Sequence, residues 1–397
     1  QLVTFPGYEW SGNTGLGGDR NVLFFHEGEP IRRSSHALVS DLSDVDTDCN
    51  SSDALFKSLK GTETVVFAHV GGRYADIQSH EGNLERSVEI HSAWGTFEWL
   101  LQDALRNGYR VGIVSNSDGH KGRPGASYPG ASMFGSYGGL TCMLSRQLTR
   151  EKIWESLLRR HHYGTTGNRM FMDVRVLLSK PGRSFMEDPQ LGATEAESTQ
   201  VGIMGDIIQT TEHEVTLQLE IIASAPIEKL EIRNGLTVLE TVRPYKPSEL
   251  GKRIRVIWAG AEYRGRGRET VWDGAASLAG NTIESVSQVN MYNLEKTVTQ
   301  LDQSHLEWKA VTTGGFGGFD CVLSDPQAGM LTIETAQVNY TVPVAEIGFE
   351  ELRIDAGGLD RHLRLVRLPD TNPHLQLSLE RKLALNASGD NPLYVCV

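Results

Sequence analysis

Two patterns of hydrophobic and polar residues divide the chain near residue 168. Before that point, short apolar runs such as residues 65–68 and 111–114 alternate with amphipathic segments. Continuous apolar runs of this length are typical of buried strands, and strands that alternate with helices are typical of a parallel sheet or barrel. The first part therefore predicts an α/β fold, in which active groups lie at the carboxyl ends of the strands.

Two helices are predicted in this first part. Thr96 is a candidate N-cap for one helix, whose apolar residues recur at helical spacing, and Gly108 is a candidate end. The other helix begins near Thr149, and Gly164 is a candidate end for it. Its two terminal histidines, His161 and His162, are interpreted as a solvated pair that complements the helix dipole.

After about residue 170, apolar and polar residues alternate. VTLQLEII (215–222), RIRVIW (253–258) and HLRLVRL (362–368) show this period, which is typical of half-buried antiparallel strands. Asn234-Gly235 predicts a two-residue hairpin turn, whereas Pro181-Gly182 and the acidic stretch 187–197 predict a junction or exposed loop. The fold class is therefore α/β plus all-β, with an α/β domain over 1–168 and a β-sandwich-like domain over 169–397.

The composition of the chain argues against a few classes of function. The 397 residues carry a formal net charge of −12, which argues against nucleic-acid binding because phosphate backbones are held by clustered Lys and Arg. The four cysteines are scattered and form no C-x-x-C pair. No apolar run approaches the ~20 residues that span a bilayer, and no export leader is visible. We expect a soluble protein, cytoplasmic or periplasmic, and leave its oligomeric state open.

Acidic and imidazole side chains follow several predicted strands. Because the ends of parallel strands meet at one edge of a sheet, these side chains are expected to converge. Imidazole suits zinc, iron or manganese, and a carboxylate can bridge two ions that together activate water. The sequence therefore predicts a divalent metal site. Its candidate ligands are Glu9, His69, Asp118 and His120, with Glu89 and His91 as further candidates.

Each of these residues also has a purely structural interpretation. His69 after a strand can be a hydrogen-bonded structural residue, Asp118 can cap an Asx turn, and Glu9 can be a buried carboxylate paired with an arginine. His91 can pack against a helix. The metal hypothesis depends on the recurrence of such groups at one structural position.

Cationic side chains lie within a few residues of the same strand ends. Arg20, Arg73, Lys121 and Arg123 are candidate substrate-binding residues, since arginine forms bidentate contacts with phosphate or carboxylate and lysine supplies a point charge. The alternative is that they are solvated loop charges. The basic loop YRGRGRE (263–269) is interpreted as an exposed hairpin loop. No G-x-S-x-G elbow, Walker loop or H-E-x-x-H helix is present.

Several longer stretches together resemble a known superfamily. They include FPGYEWSGNTGLGGDRNVLF, AHVGGRYAD, SVEIHSAWGTFEWLLQDALRNGYRVGIVSNSDGHKGRPG and GDNPLYV, and they extend over nearly the whole chain. In these motifs the chain resembles the PHP (polymerase and histidinol phosphatase) superfamily. More narrowly, it resembles a bacterial branch of unknown function with a C-terminal β-domain.

This resemblance implies a distorted, TIM-like β/α barrel with a metal cluster at its strand ends, in a superfamily of zinc-, manganese- or iron-dependent phosphoesterases. Glu9 is similar to the bridging glutamate, His69 to the histidine after a later strand, and Asp118 with His120 to the closing D-x-H pair. Relatives often carry a histidine near position 20, so Asp19 or His26 is a substitute ligand here.

One departure from the superfamily affects the fold and the site. Its members open with an H-x-H motif on the first strand, and no such motif precedes Glu9. We therefore expect this chain to be the later part of a longer protein and to form a partial barrel. Such a chain would bind fewer metal ions than the superfamily does, or none.

Three hypotheses of function remain open. The first is a metal-dependent phosphoesterase with Glu9, Asp118 and His120 as catalytic residues and an anionic substrate, small or linked to a glycan. The second is a non-catalytic module that binds carbohydrate or protein, for which Trp258, Tyr263 and Trp272 would supply stacking surface unless they form sandwich core. The third is a metal-dependent hydrolase of another ester or of a glycan. Metal content separates the first two hypotheses, and a phosphoester panel separates the first from the third.

Overall fold

The computed structural model describes residues 2–120, 137–265 and 269–397. Its first part alternates strands and helices, as the sequence predicts. The elements are β1 (Gly7–Trp10), β2 (Arg20–Phe24), α1 (Ser52–Leu59), β3 (Thr64–Ala68), β4 (Ser87–Ser92), β5 (Gly95–Thr96), α2 (Glu98–Arg106), β6 (Gly112–Ser115), β7 (Leu140–Met143), α3 (Arg150–Leu158) and β8 (His162–Thr165).

Six of these strands form one open sheet, sheet A, in the order β1-β2-β3-β4-β5, with β6 also paired to β4. Neighbours among β1, β2 and β3 run antiparallel, whereas β3, β4 and β6 run parallel. The carboxyl ends of β1, β3, β4 and β6 therefore lie at one edge of the sheet, beside the start of β2. β7 and β8 form a separate hairpin.

Helices cover both faces of sheet A. Every residue of β3 is buried, which explains its continuous apolar run. Val66 packs with Leu55 of α1, and Ala68 with Leu100 of α2, on one face, whereas Phe67 packs with Trp154 of α3 on the other. None of the described helices is long and apolar enough to cross a membrane.

The second part is all β. Its strands are β9 (Met170–Phe185), β10 (Ala196–Ile203), β11 (Ile207–Gln209), β12 (Glu214–Ala223), β13 (Leu230–Asn234), β14 (Thr237–Val242), β15 (Arg253–Ala261), β16 (Thr270–Val271), β17 (Gly274–Ala279), β18 (Ile283–Val289), β19 (Val298–Gln300), β20 (His305–Trp308), β21 (Val311–Thr312), β22 (Phe316–Leu323), β23 (Met330–Thr335), β24 (Asn339–Pro343), β25 (Leu352–Asp355), β26 (Leu359–Leu368), β27 (Gln376–Ala384) and β28 (Leu393–Cys396).

These strands form two pairs of sheets with separate cores. Sheet B (β10-β9-β12-β27, with β11 on β9) packs on sheet C (β14-β13-β28), with Leu217 and Leu230 in the core between them. Sheet D (β18-β22-β15-β26-β25) packs on sheet E (β19-β20-β17-β23-β24). In this second core the rings of Trp258 and Trp308 stack with centroids 5.1 Å apart. Trp258 and Trp272 are fully buried core residues, so the hypothesis that they supply stacking surface is wrong.

The architecture agrees with the predicted mixture of an α/β part and an all-β part. The described strands do not close into a barrel, and the domain boundary at 168/169 stays a prediction. Three local predictions are wrong. Thr96, the predicted N-cap of α2, lies in β5, and Phe97 occupies the N-cap position. The helix expected to reach Gly164 ends at Leu158, and His162 is instead a buried residue of β8. Pro181-Gly182, expected in a loop, lies inside β9, next to a shift of register against β10.

Polar contacts join the α/β part to the β part. The Thr313 hydroxyl donates to the Trp94 carbonyl at 2.7 Å, and the Thr96 N–H donates to the Thr313 carbonyl at 3.2 Å. Arg110 forms a bidentate pair with Asp390 at 2.8 and 2.9 Å. The β part therefore braces the segment that follows β4.

A buried histidine holds the loop between β2 and α1. Nδ1 of His36 lies 2.5 Å from Asp48 and Nε2 lies 2.9 Å from Asp44, and Arg33 pairs with Asp44 at 2.7 Å. The hydrogen bond to Asp44, with that to Asp48, raises the pKa of His36 against the opposing effect of burial. Both ring nitrogens can donate only when the imidazole is protonated. The loop is therefore held by an imidazolium between two carboxylates.

This geometry gives a pH dependence of known sign. A pKa that is raised on folding stabilises the protein below the unfolded value of about 6.5, and the stabilisation is lost as the pH rises through the folded value. We expect His36→Gln to lower the melting temperature more at pH 5.5 than at pH 8.5. His305→Gln, at an exposed histidine beside Asp302, is the control and should change little. An equal effect of His36→Gln at both pH values would contradict this role.

Candidate metal centre

Acidic and imidazole side chains converge at the edge of sheet A where β1, β3 and β6 end. Glu9 lies on β1, His69 directly follows β3, and Asp118 lies three residues after β6. Nε2 of His69 lies 3.9 Å from Oε1 of Glu9 and 3.5 Å from Oδ2 of Asp118. One ligand atom from each residue lies within 4.8 Å of the other two. Atoms that bind one ion at ~2.1 Å are separated by similar distances, so these three residues can share an ion.

Polar atoms in this cluster are buried without a hydrogen-bond partner among the described residues. They are Nε2 of His69, Oδ2 of Asp118 and Oδ1 of the neighbouring Asp19. A buried polar atom without a partner costs roughly 1–3 kcal/mol, and more if it is charged. Three such atoms at one strand edge could bind a ligand, and their chemistry fits a cation.

Asp19 and Gly71 complete the wall of the cluster. Oδ2 of Asp19 accepts the Arg73 N–H at 2.8 Å. A Cβ atom placed on Gly71 would lie 2.6 Å from Oε1 of Glu9, 2.8 Å from Oδ2 of Asp19 and 2.9 Å from Nε2 of His69. These three ligand-type atoms therefore surround a single point beside Gly71, and only glycine leaves that point open.

A second glycine lets the loop that carries Asp19 approach the loop after β3. Gly18 has φ +74, and a Cβ atom there would collide with the Tyr74 carbonyl. Any other residue would be strained at this φ and would separate the two loops. Gly18 therefore keeps Asp19 within reach of Arg73.

Glu89 orients His69 and is not a member of the three-residue cluster. Its Oε1 accepts from Nδ1 of His69 at 2.8 Å, and its Oε2 accepts from the side chains of Asn21, at 3.0 Å, and Asn116. Because Nδ1–H of His69 donates to Glu89, the lone pair of Nε2 faces the cluster. Metal-binding histidines commonly have such a carboxylate partner, which fixes the tautomer of the ring.

The surrounding carboxylates shift the pKa values of the cluster. Burial acts to lower the pKa of His69, but Glu89, Asp118 and Glu9 act against it and the net shift is upward. Burial, together with the nearby charge of Glu9, raises the pKa of Asp19 to about 6, although the Arg73 N–H opposes the shift. The site is therefore rich in negative charge that only a proton or another cation can balance.

Asp118 and His120 occupy different environments. Asp118 has φ +43, a left-handed conformation that Asp and Asn tolerate better than most residues. His120 is exposed, its Nδ1–H donates to the Asp118 carbonyl at 2.8 Å, and its ring lies edge-on to Trp94. The described geometry therefore places His120 beside the cluster but not within it.

The predicted substrate-binding cations are also divided by the structure. Arg20 is fully buried, pairs with Glu85 at 2.5 Å and donates to the carbonyls of Gly17, Asp76 and Ser79. These contacts occupy its guanidinium, so Arg20 holds the two loops together and is not available to a substrate.

Arg73, by contrast, is exposed, and its backbone N–H contacts Asp19. Its charge acts to lower the pKa of Asp19. Arg73 therefore remains a candidate for binding a substrate anion. Lys121 and Arg123 lie outside the described residues, so their predicted role is carried forward as a prediction.

Two further candidate ligands do not reach the cluster. β2 is about 13 Å long at the usual strand rise, and His26 lies two residues beyond its far end, where it pairs with exposed Glu63 at 2.6 Å. His91 uses both ring nitrogens, for the Thr96 hydroxyl and the Tyr137 carbonyl, each at 2.8 Å. Burial lowers the pKa of His91. Hydrogen bonding inside the protein therefore accounts for His91 without a metal.

Asn21, Asn116 and Glu85 were not predicted from the sequence. Asn21 is the second residue of β2 and Asn116 directly follows β6, at the same edge as the metal candidates, so their position was a detectable signal. Glu85 precedes β4 and is fully buried between Arg20 and His80. No pattern in the sequence marks such a long-range ion pair.

Comparisons with known proteins leave the family open. No family model matches the chain, and no solved structure matches it. An uncharacterised protein of Chlamydia pneumoniae is 23% identical over 205 residues, which cover 46% of this chain. The match covers 31% of that relative's own length. The resemblance to the PHP superfamily therefore stays a prediction.

The contact between Glu89 and His69 predicts an effect on metal affinity. In Glu89→Gln the carboxylate charge is lost, and an amide N–H₂ must face either His69 or the two asparagine donors. Loss of such a partner typically costs 10–100-fold in affinity, and we expect a decrease of that size for Mn²⁺ or Zn²⁺ in calorimetric titration. Glu220→Gln, at an exposed position of β12, is the control. An unchanged affinity in Glu89→Gln would show that His69 needs no such orientation.

The open point beside Gly71 gives a second prediction. In Gly71→Ala the new methyl group must displace Glu9, Asp19 or His69, so we expect metal binding to fall below detection in the same titration. Gly15→Ala introduces a Cβ atom with no neighbour within 4 Å in the adjacent loop and should bind normally. Circular dichroism of both variants checks that they are folded. Normal metal binding by folded Gly71→Ala would place the ion elsewhere.

Proposed function

We propose that the protein is a metal-dependent hydrolase and that its substrates are phosphate esters. One observation carries the proposal. Ligand-type atoms of Glu9, His69 and Asp118 converge at a strand edge, and two of these residues present buried atoms without a hydrogen-bond partner among the described residues. A bound cation would give each of these buried atoms a partner, and this supports the proposal.

The side chains present fit a divalent ion of the first transition row. Glu9, His69 and Asp118 would hold it, and Asp19 is close enough to take part. One imidazole with several carboxylates suits zinc, manganese or iron. Such an ion acts as a Lewis acid, polarising a substrate oxygen and lowering the pKa of a water molecule.

His120 is the candidate proton carrier. Its Nδ1–H donates to the Asp118 carbonyl, so the neutral ring carries its lone pair on Nε2. An exposed imidazole beside the cluster can exchange protons with water and act as a general acid or base. His120 would therefore accept a proton from the attacking water or return one to the leaving alcohol.

Arg73 supports an anionic substrate. It is exposed beside Asp19, and an arginine can bind two phosphate oxygens at once. Hydrolysis of a phosphate monoester breaks one P–O bond, consumes one water molecule and releases an alcohol and inorganic phosphate. Lys121 and Arg123 are proposed to assist on the basis of their position in the sequence alone.

A partial PHP-type barrel belongs to the same proposal. It rests on the sequence resemblance and on the position of the cluster at the carboxyl ends of parallel strands. Among the described strands β1 pairs only with β2, so closing sheet A into a barrel would require further strands along β1.

Asp118→Asn is the sharpest test of the metal proposal. Asparagine tolerates the left-handed backbone of residue 118, so the variant removes a charged ligand without a change of fold. Wild-type protein should contain stoichiometric zinc, manganese or iron by elemental analysis. It should also hydrolyse p-nitrophenyl phosphate or bis-p-nitrophenyl phosphate. Removal of groups that only support a metal ligand costs 10–100-fold, and we expect the ligand itself to cost about 100-fold in activity.

Asp46→Asn, at an exposed aspartate, is the matched control and should keep both metal and activity. Metal-free wild-type protein whose melting temperature is unaffected by a chelator would instead support the non-catalytic binding module. Stoichiometric metal together with hydrolysis of carboxylic esters or glycans, but not of phosphate esters, would support the third hypothesis.

A further inference from the structure

Two neighbouring recesses, together called the groove, lie between β4 and the edge of the sandwich formed by sheets D and E. The outer part of the groove lies between the two edge strands β18 and β19 and the loop 290–297, which includes Tyr292. Its inner part lies between the α/β part and the sandwich, and is lined by His91, Tyr137, Asn290 and Phe316 among others. The groove is therefore built by both parts of the chain.

The two parts of the groove are adjacent. The rings of Tyr137 and Tyr292 meet edge to face, with centroids 5.3 Å apart. Asn290 lines the inner part, and the next residue, Met291, lines the outer part. A ligand longer than one ring or residue can therefore contact both parts at once.

The described lining residues carry no full charge. None of them is Asp, Glu, Lys or Arg, although these types make up 22% of the chain. His91 is held by two hydrogen bonds inside the protein. The remaining polar groups are hydroxyls and amides, which both donate and accept hydrogen bonds. This chemistry suits a ligand with many neutral hydroxyl or amide groups.

Aromatic side chains are exposed along this uncharged surface. Tyr292 is 46% exposed and Phe316 is 44% exposed. Aromatic rings present an apolar face to a ligand and lose little conformational entropy when they bind. A sugar ring offers one face of C–H groups and a rim of hydroxyls, which matches aromatic faces set among hydroxyl and amide groups.

The inner end of the groove adjoins the metal candidates. His91 lies two residues beyond Glu89 on β4, about 7 Å along the strand. Asn116 connects the two sites, because its side chain donates to Glu89 and its backbone N–H donates to the His91 carbonyl at 3.0 Å. A chain bound in the groove would therefore lead toward the cluster of Glu9, His69 and Asp118.

We propose that this groove binds a neutral oligosaccharide, and that the ester hydrolysed at the metal cluster is carried by that saccharide. The second clause rests on the proposed function, whereas the first does not. Tyr292 and Phe316 stack on sugar rings, and the hydroxyl and amide groups between them contact sugar hydroxyls. The β part thereby selects the substrate, and the α/β part acts on it.

Isothermal titration calorimetry with soluble hexasaccharides tests the binding step. The probes are maltohexaose, cellohexaose and N-acetylchitohexaose, with hexagalacturonic acid as a charged counterpart. We expect at least one neutral hexasaccharide to bind, and Tyr292→Ala and Phe316→Ala each to weaken it about 2–10-fold, the range for one aromatic contact. Phe171→Ala removes a ring that is 50% exposed on sheet B and should leave the affinity unchanged.

The same titration on Asp118→Asn separates this inference from the proposed function. Binding should persist in that variant, because the groove does not need the metal. The inference is overturned if no neutral hexasaccharide binds, if only hexagalacturonic acid binds, or if Phe171→Ala weakens binding as much as Tyr292→Ala does. If wild-type protein binds a saccharide but shows no metal-dependent hydrolysis, the proposed function is contradicted, whereas the assignment of the groove is supported.

Discussion

The structure depends on how negative charge is balanced at one edge of sheet A. Glu9, Asp19, Glu89 and Asp118 surround the single imidazole of His69, largely out of water. Burying like charges together is unfavourable, because each raises the cost of ionising the next. Glu89, Asp118 and Glu9 raise the pKa of His69 against the effect of burial, so a proton on its ring would offset part of this negative charge when no ion is bound. A divalent cation provides two charges where the proton provides one.

The rest of the first part keeps these carboxylates in place. Arg20 and Glu85 form a buried ion pair that fastens the loop before β2 to the loop after β3, and Gly18 lets the two loops touch. Asn21 and Asn116 fix Glu89 from neighbouring strands. Removing one partner of a buried pair leaves an uncompensated charge and is costly. These contacts therefore make the position of the cluster a property of the whole sheet.

The sequence predicted the positions of the candidate site residues better than it predicted their roles. Apolar runs and the change to alternation near residue 170 predicted an α/β part before an all-β part, and strand ends predicted where Glu9, His69 and Asp118 would lie. The sequence did not distinguish Glu89, which orients His69, from a ligand, nor Arg20, which is buried, from a substrate contact. That difference depends on neighbours from distant parts of the chain, such as Glu85, which no local period reveals. The functional roles of the cluster stay predictions.

Charge also links the cluster to the groove. An anionic substrate would be repelled by four carboxylates unless a cation offset them, so binding of the ion must come before binding of the ester. Arg73 offers a positive charge near Asp19 that acts to lower the pKa of that carboxyl. A saccharide held by the uncharged groove would supply binding energy that is independent of this balance. The two parts would then have separate tasks. Tyr292 and Phe316 would stack on the rings of the saccharide, and the charged residues beside Gly71 would carry out the reaction. The hydrogen bond from the Thr313 hydroxyl to the Trp94 carbonyl helps to hold the two parts in a fixed relative position. A substrate that extends across both parts would require such an arrangement.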